Sequence, residues 1–180
     1  MTLRMPTGRP LPGEFASEVA ADIDAVPGED AIAALEDATL RTLGLLEPLA
    51  GASVDGLTYA PGKWTLKEVV GHLADDERIF AYRALCLARG DSRELPGFDE
   101  NRYNAVAGFE QRSLASLLAE YRSVRQATLS LLSGLPADAW LRRGTVNGYA
   151  ATVRGLAFHI AGHELHHLRV LRERYVPRLG

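Results

Sequence analysis

Cysteine is almost missing from this sequence. Cys86 stands alone in 180 residues, so no disulfide can form within the chain and a stapled secreted scaffold is excluded. A chain with one thiol placed in an apolar helical stretch fits a reducing compartment, and the cytoplasm is the expected location. Long apolar runs are missing too: nothing approaches the ~18 residues of a membrane span, and the opening "MTLRMPTGRPLPGEF" has no apolar segment of the kind a secretory signal carries. Basic charge is not in excess. Twenty Lys and Arg against 23 Asp and Glu leave a net charge of −3, which argues against a nucleic-acid binder. Neither a Gly-rich phosphate loop between strand and helix nor a GxSxG elbow is present. The expected partner is a small molecule, with no nucleic acid and no membrane.

What the chain does have is 47% hydrophobic and 24% charged residues, an ordinary balance for one folded domain with a core of its own. Residues 1–29 carry four of the nine prolines and no sustained period; they are expected to form an extended arm with at most a short helical turn at 15–22. Residues 30–180 then form the domain. "DAIAALEDATLRTLGLLEPLA" puts Ile32, Leu35, Leu40, Leu43 and Leu46 near one helical face, and Pro48 ends it.

A second helix starts at "KWTLKEVVGHL". Thr65 and Glu68 form a capping box, Trp64 and Val69 a hydrophobic staple, and Gly90 supplies the stop. A loop of about twenty residues follows, long enough for a binding loop or a crossover. Ser113 caps a third helix with Leu117, Leu118, Tyr121 and Leu129 to Leu132 on its apolar side, and a fourth helix runs from about 152 to 175, before Pro177. No strand pattern competes. Four long helices predict an all-α four-helix bundle.

Histidine is scarce and concentrated. Of five, His159, His163, His166 and His167 fall within nine positions of the last helix, and His72 lies on the second. At about 100° per residue, with His159 at zero, the apolar stripe of Val153, Leu156, Ile160, Val170 and Leu171 centres near about 70°. His163 and His167 fall near about 40° and 80°, inside that stripe, while His159 and His166 lie at its edge. A pair at i and i+4 is the spacing by which a helix offers two imidazoles to one metal ion. Two polar rings in an apolar stripe are costly unless something binds them.

His72 sits at the edge of the second helix's apolar face, with Asp76 one turn on, and is a reasonable third ligand across the bundle. A satisfied core histidine is the plain alternative. Three imidazoles with an open fourth position suit catalytic zinc, or nickel or another borderline divalent metal, able to activate a water or a thiol. For Asp75 and Asp76 a solvated helix face is the expected reading, and orientation of a ligand ring the alternative. Arg142 and Arg143 could meet an anionic substrate, though a solvated basic end is expected for the cations near the last helix. Cys86 reads as a small buried hydrophobe and Trp140 as a core or interface anchor.

The stretch "APGKWTLKEVVGHLADDERIFAYRALCLARGD", followed far downstream by "AGHELHHLRVLRERY", resembles the DinB superfamily, in particular its YfiT-like branch of metal-dependent hydrolases. "LPGFDENRY" and "PLPGEFASEV" are similar to that branch as well, so the resemblance spans most of the chain. It implies a four-helix bundle in up-down-down-up order, often a homodimer, with a divalent metal at one end. Carried over by motif, the three ligands are His72, His163 and His167; His166 matches the middle His of the motif and is no ligand, and His159 has no counterpart. Relatives with known chemistry include bacillithiol S-transferases and mycothiol-dependent isomerases, which makes a low-molecular-weight thiol the implied co-substrate. One mycothiol-using group carries Glu where this chain has His163, which separates the two.

Overall fold

The computed structural model describes residues 7–179; the first six residues of the expected arm lie outside them. Four long helices dominate: α2 (Ala31–Leu46), α3 (Leu66–Ala88), α5 (Leu114–Ser133) and α6 (Val153–Val170), with the short helix α1 (Ala20–Asp24) before them and α4 (Glu100–Ala107) between α3 and α5. Local chemistry sets their starts. Asp30, Thr65, Ser113 and Thr152 each accept a hydrogen bond from a first-turn amide, and at Thr65 the Glu68 carboxylate returns the bond to complete the capping box. After Val170 the last helix continues in a wider turn through Tyr175.

Helix α3 packs against α5 and α6, and α2 against the same two, so the consecutive pairs α2/α3 and α5/α6 face each other across the bundle. Helices α3 and α6 run antiparallel, since His72 meets His163 and His167 while Asp76, one turn on, meets His159 and His163. Helices α3 and α5 run parallel: Glu77 faces Arg125, and further along both, Leu85 and Leu131 line one groove. The order is up, down, down, up.

Two apolar clusters fill the bundle. One gathers Leu46, Val69, Val70, Leu117, Leu118, Leu171 and Tyr175; the other gathers Ile32, Leu35, Phe80, Leu87, Leu132, Leu156, Phe158 and Ile160. Between them lies a buried polar layer. Arg125 donates to both Glu77 oxygens at 2.8 Å, to Glu164, to the Leu35 carbonyl and to Thr39, while Thr42 and Tyr121 donate to Glu164. All four long helices contribute, so the layer fixes their register. It also corrects the expected face of α2: Leu40 is 72% exposed and Thr42 takes the inward place, because the helix turns its threonines toward this layer.

Two further features differ from the sequence reading. The long connection after α3 is not loop throughout, since Asp99 caps α4 and Gly108, at φ 68°, ends it. Strands exist: β1 (Arg143–Val146) and β2 (Tyr149–Thr152) form an antiparallel hairpin on a two-residue turn, Asn147–Gly148, both at positive φ. Asn-Gly is the pair such a turn favours. The hairpin binds the connection at Leu95, through Leu95 N to Thr145 O and Asn147 N to Leu95 O, at 2.9 and 2.8 Å.

The arm keeps close to its expected form. Its short helix, expected at 15–22, spans a 3₁₀ turn at Ser17–Val19 and α1. It lies on α6 at two glycines where a Cβ would meet backbone: Gly155 against Glu14 O at 2.0 Å and Gly162 against Asp22 O at 2.6 Å. Glu14 is buried there and bound by Arg154 at 2.6 and 2.9 Å.

Candidate metal centre

The α3/α6 seam opens beside the arm into a cavity of about 1120 Å³, and four of its walls matter: α3, α6, the arm and the hairpin tip with the connection before α4. At the cavity floor the side chains of His72, His163 and His167 converge. Nε2 of His163 lies 3.1 Å from Nε2 of His72 and 3.0 Å from Nε2 of His167, and the three ligand atoms lie within 4.8 Å of one another. These are the three residues selected by helical spacing and motif, drawn from two helices ninety positions apart.

Hydrogen bonding alone does not account for this arrangement. A neutral imidazole nitrogen carries either one N–H or one lone pair, so Nε2 of His163 can satisfy one of its two neighbours and not both. Protonation would not relieve the crowding, because burial drives the cluster toward the neutral form: His72 is pushed down to about 4, His167 to about 3, and His163 well below the usual imidazole range, each chiefly by desolvation, with the neighbouring rings adding to it for His163 and His167. Three neutral lone pairs aimed at one point need a shared electron acceptor. Zinc bound to imidazoles at about 2.0–2.1 Å would hold tetrahedral ligand nitrogens about 3.3 Å apart, close to the spacing seen. The donor set therefore fits a divalent cation.

Asp76 belongs to this cluster, which corrects the expectation of a solvated side chain. It is buried, with Oδ2 3.3 Å from Nδ1 of His163 and 3.9 Å from Nε2 of His159. Neither contact has hydrogen-bond alignment, and Oδ2 has no other partner. Burial raises its carboxyl to about 8, with Glu100 and Glu77 acting in the same direction and Arg83 against it. Asp75, its neighbour, is outside the cavity lining; it pairs with Arg78 at 3.2 Å, and burial raises its carboxyl.

The other histidines divide as follows. His159, placed at the stripe's edge by the wheel, is more deeply buried than His163 or His167, because it stacks on Phe80 at 3.9 Å between ring centres while the other two open into the cavity. His166 Nδ1 meets Asp22 of the arm at 3.1 Å. Trp64 does more than staple α3, since its ring lies 4.7 Å from that of His72 and lines the cavity. Arg142 and Arg143 do not line it: Arg142 binds Asp138 and the Ala88 carbonyl, and Arg143 lies 3.2 Å from Glu14.

A family model described as the DinB superfamily matches residues 28–171. The chain belongs to the DinB superfamily. Among solved structures, that of YfiT from Bacillus subtilis, described as "a probable metal-dependent hydrolase with an unusual four-helix bundle topology", superposes with a TM-score of 0.71 at 20% identity, covering 92% of this chain and 91% of that one. At that identity the likeness is one of fold. No functionally curated protein matches the sequence. Among the described residues no helix is long and apolar enough to cross a membrane, and Cys86 is buried, as its apolar helical stretch implies.

Proposed function

We propose that this DinB superfamily protein is a metal-dependent enzyme in which His72, His163 and His167 hold one divalent cation, zinc or nickel, at the floor of a substrate cavity. The observation that carries the reading is the convergence of three neutral Nε2 atoms on one point beside a cavity of about 1120 Å³. When bound, the ion supplies Lewis acidity, which turns a water or a low-molecular-weight thiol into a nucleophile at neutral pH. The reaction class is hydrolysis or thiol transfer to an electrophile.

The chain's own residues have distinct parts in this reading. Burial keeps all three imidazoles unprotonated, so their lone pairs are available without a proton first leaving. Asp76 stands 3.3 Å from Nδ1 of His163, where ionisation of its carboxyl would favour the tautomer with the ring proton on that side, leaving Nε2 free to ligate. Trp64 closes one side of His72, and the arm, carrying Asp22 against His166, covers another side of the cavity.

The test is elemental analysis of untagged wild-type protein and of His163→Ala, before and after incubation with zinc and nickel, followed by assays of ester or amide hydrolysis and of thiol conjugation to an epoxide or chloroarene. Near-stoichiometric metal in the wild type, lost in the variant, with turnover in either assay is the expected result. Failure to bind either metal overturns the reading. Metal without turnover would leave a metal-binding bundle and remove the enzyme.

A further inference from the structure

Arg83 is a buried cation that forms no ion pair among the described residues. It is 4% exposed, its Nη2 donates to the Pro96 carbonyl at 2.6 Å, and its guanidinium is held near the rings of Phe80 and Phe98, at 4.6 and 5.8 Å from their centres. Nε and Nη1 make no hydrogen bond, yet neither is among the buried, sealed polar atoms left unpaired; they open on the cavity that Arg83 lines. A guanidinium has five N–H donors in a fixed fork, and a desolvated one with free donors is costly unless a ligand meets it. The acidic groups facing this end do not do so. Asp76, two turns away along α3 and directed at His163, acts on it only at a distance, and Glu18, Asp22, Asp24 and Glu100, which line the same cavity, form no ion pair with Arg83.

Position gives the cation its meaning. His72, Asp76 and Arg83 follow at intervals of four and seven, and at about 100° per residue they stay within about 40° of one line along α3. Eleven residues at 1.5 Å each separate the backbones of His72 and Arg83 by about 16 Å. Between them the cavity presents the stacked rings of Phe80 and His159. One end is a three-nitrogen cluster, the middle is flat and largely apolar, and the far end is an unpaired guanidinium.

We propose that Arg83 is the anchor for a carboxylate at one end of an extended small-molecule substrate whose apolar middle lies on Phe80 and His159 and whose other end reaches the histidine cluster. Only the reacting end rests on the function proposed above. The assignment of Arg83 does not, since it follows from donors and a cavity that exist without metal. Arg83 is a specificity-determining residue here, choosing anionic over neutral substrates of the same shape.

Calorimetric titration with 4-phenylbutanoate and with 4-phenylbutanol, on metal-free and zinc-loaded protein, tests this. The wild type is expected to prefer the carboxylate by about 10- to 100-fold, the range for a charge-assisted hydrogen bond made in place of a neutral one, in both metal states. Arg83→Gln should abolish the preference and Arg83→Lys should retain part of it. Because Arg83 also holds the Pro96 carbonyl, the wild-type comparison of acid with alcohol stands by itself if the variants fold poorly. Equal binding of the two probes, or no binding of the carboxylate at millimolar concentration, overturns the assignment. So does a preference that needs zinc and survives Arg83→Gln, which would put the carboxylate on the metal. A preference kept in protein that binds no metal would support Arg83 while removing the proposed function.

Discussion

Oδ2 of Asp76 lies 3.3 Å from Nδ1 of His163, on the side of the ring away from the nitrogen that faces His72 and His167. The carboxylate and the two other imidazoles thus address opposite atoms of one ring. Asp76→Ala removes the polar group beside Nδ1 and lets the ring change tautomer and rotate. Zinc affinity is expected to fall by about 10- to 100-fold, read by competition with a chromophoric chelator. Unchanged affinity would show that His163 is held by its packing alone.

The same groups give the metal-free protein a pH profile with two arms. His72, His163, His159 and His167 all have folded values below the usual 6.5, at about 4 for His72 and about 3 for His159 and His167. Below pH 6.5 the unfolded chain binds protons that the folded chain refuses, so stability falls as pH drops from 6.5 toward 4. Asp76 has the opposite sign: raised from 3.8 to about 8, it holds a proton in the fold that the unfolded chain has already lost, and its contribution declines as pH rises from 3.8 to about 8. Four imidazoles outweigh the raised carboxyls of Asp75 and Asp76 on the acid side, and between pH 6.5 and 8 Asp76 sets the slope. Melting temperature of the metal-free protein should peak near pH 6.5, and Asp76→Asn should flatten the alkaline arm and steepen the acid one. A profile that rises steadily through pH 8 would contradict the raised Asp76 value.

Much of the site was legible because helical geometry is local. The interval between His163 and His167 places two rings on one face whatever surrounds them, and Thr65 with Glu68 marks the helix carrying His72. What a wheel cannot distinguish is solvent from a cavity. Asp76 reads as a surface carboxylate because its polarity is correct for either, and His159 as marginal because its stacking partner, Phe80, lies on another helix. The hairpin was missed although "VNGY" carries its turn pair, since four-residue strands have too little alternation to register. Arg83 and Arg125 look like any helix cation; only the fold shows that one finds two carboxylates and the other none.

Arg125 is the single cation of the polar layer and is 2% exposed. Replacing it with Met leaves Glu77 and Glu164 buried without a positive partner, a loss of about 3–5 kcal/mol by the general cost of breaking a buried ion pair. Chemical denaturation of Arg125→Met should show that loss. Adding Glu77→Gln and Glu164→Gln should recover part of it, because the cost lies mainly in the stranded charges. A loss below about 1 kcal/mol would mean that water reaches the layer.

The arm's hold on α6 depends on the missing side chains of two glycines. A Cβ on residue 155 would lie 2.0 Å from the Glu14 carbonyl and one on residue 162 would lie 2.6 Å from that of Asp22. Both obstacles are backbone, so neither can rotate away, and overpacking of this kind costs about 1–3 kcal/mol. Gly162→Ala should displace α1, separate Asp22 from His166 and speed amide exchange across residues 17–24, while α3 and α5 keep their protection. Exchange unchanged in that segment would mean that α6 shifts in place of the arm.

The histidines of α6 should separate cleanly on substitution, because their surroundings differ more than their spacing. His163→Gln and His167→Gln each withdraw a nitrogen from the three-atom cluster and should abolish zinc retention through gel filtration. His159→Gln removes a ring that stacks on Phe80 and contributes no atom to the cluster; zinc should stay, with stability reduced by about 1–3 kcal/mol for the lost packing. His166→Gln should keep both zinc and stability and lose only the contact with Asp22. Zinc lost on His159→Gln with the fold intact would require a fourth imidazole at the metal, and the centre would then be closed, without the open position that activation of a water or thiol requires.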